Sequence, residues 1–160
     1  MESLFKIFTW KISSVVTSML LLVLILLNFY GVYANKFYFL KPANYIFPAL
    51  AMVHFLYLYV LRFKITENEL PDPIMRNLEY VLYTVLIVYF FKIYESAMVL
   101  NSLSEYQGHV IPDMFKTIGT ITLVLYCVLS VFTLLLFLQR KYYVGKYDFE
   151  NYNNNLNMWQ

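Results

Sequence analysis

Four stretches of the chain stay apolar for close to the twenty positions that a helix needs to cross about 30 Å of hydrocarbon. The first covers about 12–34, contains Met19-Leu20-Leu21-Leu22-Val23-Leu24-Ile25-Leu26-Leu27 and carries no charge. The second covers about 42–62, the third 73–100 and the fourth 114–139. Only the third is interrupted, by Lys92 and Glu95 toward its far end. Polar punctuation separates the stretches. Asp72-Pro73 supplies an N-cap followed by proline at the first helical position, Lys41-Pro42 opens the second helix, and Asp113 after Pro112 caps the fourth. The pattern predicts an all-α integral membrane protein with four transmembrane helices. Their connections are of a length that favours an up-down antiparallel bundle. Residues 1–140 would form this domain, and 141–160 an extramembrane tail rich in aromatics and asparagine. Lys6 and Lys11 ahead of the first run resemble the start of a signal peptide. The run is long for a signal's apolar region, however, and is expected to be retained as a span.

Composition strengthens this picture and removes other classes. Hydrophobic residues make up 61% of the 160 positions and charged residues 14%, where soluble domains carry about 25% charge. Neither a disordered chain nor a soluble globular domain fits. A net charge of +2 leaves nucleic-acid binding without an electrostatic basis. One cysteine excludes an intrachain disulfide, a cysteine-based metal cluster and the cysteine pairs that thiol-oxidising bundles need. Cys127 lies within Leu123–Leu129 and is expected to act as a small buried hydrophobe. None of the four glycines belongs to a phosphate-cradling loop, and no metalloprotease, nucleophile-elbow or paired-carboxylate motif occurs. The carboxylates of 66–73 lack the spacing and turn glycine of a calcium loop, so a solvated loop is expected there. The chain is thus expected to hold no metal or cofactor and to have no small-molecule substrate.

Lysine and arginine set the orientation. Lys6, Lys11, Arg62, Lys64, Arg76, Arg140, Lys141 and Lys146 gather on the side of the two termini, against Lys36, Lys41 and Lys116 on the other, with Lys92 near the latter. Both termini are expected on the matrix or cytoplasmic side of an inner membrane, mitochondrial or bacterial. Phe29, Tyr30, Tyr33, Phe37, Tyr38 and Phe39 at one end, with Trp10, Tyr142 and Tyr143 at the other, suit the two headgroup layers.

Polar residues within the spans are the candidates for chemistry, because each is costly in hydrocarbon. His54 sits mid-span and suits a hydrogen bond to a neighbouring helix. A bis-histidine haem would have to use His109, which falls in a loop. Lys92 and Glu95 share a helix face at i, i+3 and are placed to pair, with the lysine stem snorkelling toward the boundary. Asn28 precedes Gly31 on the first helix. On the fourth, Gly119, Thr122, Tyr126, Ser130 and Thr133 form a small and hydroxylated stripe suited to close packing against another helix. In the tail, Tyr142, Tyr143, Tyr147, Phe149, Tyr152 and Trp159 alternate with amides, a composition suited to docking on another protein.

The leading functional expectation is a non-catalytic accessory subunit of a larger inner-membrane assembly, such as a respiratory-chain or other energy-converting complex. Its partners would be membrane lipids and other membrane-protein subunits. A small oligomeric transporter or channel using His54 and Lys92 is the alternative. A further alternative is a small membrane protein binding quinone or lipid, with Tyr57, Tyr59, Tyr80, Tyr83 and Tyr89 framing the ligand.

Overall fold

The computed structural model describes residues 8–102 and 112–147. It is mostly helical. Four long helices follow one another: α1 (Trp10–Phe29), α2 (Ile46–Thr66), α3 (Pro73–Asn101) and α4 (Phe115–Tyr143). With the 3-10 turn Pro42–Tyr45 counted into the second, all four are long and apolar enough to cross a membrane.

The ends of the helices follow local chemistry. Asp72 caps α3, its side chain accepting from the Met75 amide at 2.7 Å, with Pro73 behind it. Thr9 caps α1 in the same way through Ile12. Asp113 does not cap α4: that place falls to Met114, which offers no side-chain oxygen. α1 ends at Phe29 rather than near Ala34. The chain turns there into a two-stranded antiparallel hairpin, β1 (Tyr30–Gly31) and β2 (Lys36–Phe37), paired Tyr30 to Phe37 and Gly31 to Lys36. Asn35 takes a left-handed conformation in its turn. A side chain at Gly31 would run into the ring of Tyr38, so the hairpin needs glycine there. α4 in turn runs past 139 to Tyr143 and stops as Gly145 adopts a positive φ, with the Val144 and Gly145 amides both reaching the Arg140 carbonyl.

Each helix buries one stripe at three-and-four spacing, the pattern of helices packed side by side. On α3 it is Met75, Glu79, Leu82, Leu86 and Tyr89, and on α2 Phe47, Ala51, His54, Tyr57, Leu58, Leu61 and Lys64. α1 packs on α2 and α4, and α3 packs on α2 and α4, so the ring of neighbours follows chain order. The core is apolar between its polar insertions: Leu21, Leu24, Leu61, Leu82, Leu129 and Leu136 are fully buried. Cys127, expected inside, is exposed. It follows Tyr126 on α4, so when the stripe turns inward the cysteine turns outward.

Candidate functional site

Polar side chains meet at three levels of the bundle. At the end where α3 begins and α4 finishes, Arg140 grips Glu79 with two parallel hydrogen bonds, Nε to Oε2 at 2.7 Å and Nη2 to Oε1 at 2.8 Å. Both groups are buried. Arg140 also donates from Nη1 to the Gly145 carbonyl at 2.9 Å, and its guanidinium lies 4.2 Å from the ring centre of Tyr147. Tyr147 donates to Glu79 Oε2 at 2.7 Å, and Tyr83 reaches Oε1 at 3.3 Å. Burial first, and then the hydrogen bond to Glu79 and its negative charge, hold the Tyr147 hydroxyl above its ordinary pKa. The carboxylate is thus enclosed by donors on several sides, which is what retains a charge away from water.

The same end carries two further ties. Lys64 bridges Glu69 at 2.7 Å and Asp72 at 2.9 Å, fixing the loop between α2 and α3. Burial would raise the Asp72 pKa. The Lys64 hydrogen bond, the Met75 amide and the Lys64 charge outweigh it and bring the carboxyl below its usual value. Glu69 and Asp72 therefore clamp a lysine, where a solvated loop was expected. Gln139 on α4 donates to the Phe8 carbonyl at 2.7 Å and to Ser13 Oγ at 2.9 Å, joining the start of α1 to the end of α4.

Mid-bundle, His54 is fully buried and its Nδ1 lies 3.0 Å from the Tyr89 hydroxyl, a neighbouring-helix hydrogen bond. His109 lies outside the described residues. Ser130 and Thr133 return their hydroxyls to the α4 backbone, to the Tyr126 and Leu129 carbonyls. Phe47 contacts both Tyr89 and Tyr126, with ring centres at 6.0 and 5.5 Å, and so separates this level from the next.

At the far end, α1, α3 and α4 surround a cavity of about 150 Å³. Its polar lining is Asn28, Lys92, Glu95, Ser96, Thr122 and Tyr126. Gly119 lies in its wall, close against the side chain of Leu100. Lys92 and Glu95 pair at 2.7 Å along α3. Asn28 donates to the Asn44 carbonyl at 2.5 Å, and Thr122 donates to the Ile118 carbonyl at 2.8 Å. Tyr126 is buried, and among the described residues its hydroxyl has no hydrogen-bond partner. The hairpin closes the end nearby: Tyr33 packs on Phe115 at 4.9 Å, while Phe29, Phe39 and Tyr45 cluster.

The structure therefore brings Asn28, Lys92, Glu95, Gly119, Thr122 and Tyr126 to one cavity and leaves His54 and Ser130 elsewhere. Tyr142 and Tyr143 belong to the last turn of α4, Tyr147 folds back onto Glu79, and Phe149, Tyr152 and Trp159 lie outside the described residues. Of the tyrosines considered as a ligand frame, Tyr57 and Tyr89 are buried, whereas Tyr59, Tyr80 and Tyr83 face outward. Glu79 and Gln139 were not singled out from sequence, although Glu79 stands in the apolar register Met75, Leu82, Leu86, and that placement is itself a signal. Among the described residues no group of histidine, cysteine, aspartate and glutamate is arranged to hold a metal. The chain matches no protein-family model, no curated protein and no solved structure.

Proposed function

We propose that the chain crosses an inner membrane four times as an up-down antiparallel bundle, with both termini on the matrix or cytoplasmic side. In this proposal it serves as a non-catalytic accessory subunit of a larger membrane assembly. The observation that carries this reading is the outer face of α3. Tyr80, Tyr83, Ile87, Phe90, Phe91 and Tyr94 are all exposed at helical spacing, and Ile87, Phe90, Phe91 and Tyr94 bound an apolar indentation of about 360 Å³. The outward residues of α1 are of another kind: Ile12, Val15, Met19, Leu22, Val23 and Leu26. Aliphatic side chains suit lipid tails. Aromatic belts belong at the headgroup layers, whereas Phe90 and Phe91 lie near the middle of α3. Large rings around a hollow are the usual make-up of the centre of a protein interface, and a transmembrane helix of a partner subunit fits it.

The transport alternative needs His54 and Lys92 on one path. Phe47 stands between the His54–Tyr89 pair and the cavity that Lys92 lines, which favours the subunit reading.

Gentle detergent extraction followed by native electrophoresis and mass spectrometry tests the proposal. Co-migration with other membrane proteins is expected, and it should be lost when Phe90, Phe91 and Tyr94 are changed together to leucine with the helical content unaltered. A chain that migrates alone before and after the change would overturn it.

A further inference from the structure

The cavity at the far end combines four features: both signs of charge at its mouth, an unpartnered hydroxyl in its wall, a size of a few water molecules and a position near the membrane boundary. Lys92 lies about 13 Å short of the end of α3, and Asn28 is the next-to-last residue of α1. Centred on a hydrocarbon core of about 30 Å, these residues sit at or just inside the headgroup layer. At ~30 Å³ per liquid water, the volume equals about five waters. That is room for a small polar group.

The lining restricts the chemistry further. An anion alone would leave Glu95 opposed to it, and a cation alone would leave Lys92 opposed. Lys92 and Glu95 already pair with each other, and a group carrying both charges can engage both members of that pair at once. Lys92 offers N–H donors to phosphate oxygens, and the Tyr126 hydroxyl in the cavity wall offers an O–H donor. Glu95 and the Asn28 side-chain oxygen, which has no partner among the described residues, accept from an ammonium. A primary ammonium has the N–H donors these acceptors need, and a trimethylammonium has none. The apolar wall residues Leu27, Val32 and Val99 leave a route for attached acyl chains.

We propose that this cavity binds the phosphoethanolamine group, with phosphate toward Lys92 and Tyr126 and ammonium toward Glu95 and Asn28. The group could arrive as a phospholipid headgroup or as the free zwitterion from water. The proposal rests on the membrane-spanning reading and is independent of the assembly reading.

The test uses the full chain in phosphatidylcholine nanodiscs doped with phosphatidylethanolamine, with native mass spectrometry of the lipids retained after release. Retention of phosphatidylethanolamine is expected to exceed that of phosphatidylcholine by about tenfold. Glu95→Leu with Asn28→Leu, which removes both acceptors for the ammonium, should bring the ratio close to one, whereas Tyr126→Phe and Lys92→Gln, on the phosphate side, should lower retention of both lipids. Equal retention of the two lipids by the unaltered chain, or a preference that survives the loss of Glu95 and Asn28, would overturn the proposal. Displacement by soluble O-phosphoethanolamine assigns the site to the free zwitterion, and persistence against it assigns the site to the lipid. Failure to enter nanodiscs overturns the spanning reading and this site with it. Migration without partners in native gels, by contrast, leaves the lipid ratio as the deciding measurement.

Discussion

Glu79 and Arg140 form a buried, doubly hydrogen-bonded ion pair between α3 and α4. A buried carboxylate held by a forked guanidinium is strongly destabilised when one member is removed, because the other is left charged and alone. Glu79→Ala or Arg140→Ala is expected to destabilise the fold by about 3–5 kcal/mol, read as a fall in unfolding temperature in detergent. The double change Glu79→Leu with Arg140→Met should recover most of that loss. Arg140→Lys should not restore stability, since an ammonium cannot make the fork or reach the Gly145 carbonyl as well. Asp72 gives a pH dependence whose sign follows from its lowered pKa. Its contribution is present above the unfolded carboxyl value of about 3.9 and is lost as pH falls through the lower folded value. Acid titration of thermal stability should therefore decline below about pH 4, and Asp72→Asn should remove part of that decline.

At this scale the sequence was legible where chemistry is local. The Asp72 cap, the Lys92–Glu95 pair and the neighbouring-helix bond of His54 follow from spacing and depth. The Glu79–Arg140 pair does not, because a basic residue at a span end is the default for orientation and snorkelling. Which carboxylate meets it depends on how α3 and α4 are aligned.

At the scale of elements, the hydropathy pattern locates every helix and both ends of α3 and misjudges where α1 and α4 stop. α1 stops at Phe29 because the next residues find hairpin partners and an aromatic cluster, and α4 continues because Arg140 has a partner to reach. The α4 stripe shows how a period translates into environment: Gly119, Tyr126, Ser130 and Thr133 are buried, Thr122 is half-buried, and Val124, Cys127 and Val131 face out. Apolar neighbours alone gave no way to tell which side of the helix Cys127 would take. Its outward position makes it a native probe. In intact membranes Cys127 should resist a water-soluble maleimide, and it should react once the protein is transferred to denaturing detergent. Rapid labelling in sealed membranes would put this face against water.

At the scale of the molecule, the proposed crossing puts the α2–α3 loop and the end of α4 on one side of the membrane, with the hairpin and the start of α4 on the other. Single cysteines introduced at Glu67 and Lys146, with Cys127 replaced by serine, should react from the same side of sealed vesicles, and one at Lys36 from the opposite side. Reaction of Glu67 and Lys146 positions from different sides would contradict the proposed crossing number. The four long apolar helices were legible because they need only length and apolarity. The cavity was legible only in part, since Asn28, Lys92 and Thr122 come from three helices whose alignment no spacing encodes.

The bond from Gln139 to Phe8 and Ser13 closes the ring between segments at opposite ends of the chain. During synthesis α1 therefore leaves the ribosome long before the helix whose Gln139 amide donates to Ser13 exists. In the proposed membrane crossing, Ser13 waits against lipid or the insertion machinery until α4 follows. The newborn protein is expected to be most exposed to quality-control proteolysis in that interval, and a chain halted before α4 should be cleared faster than the finished one.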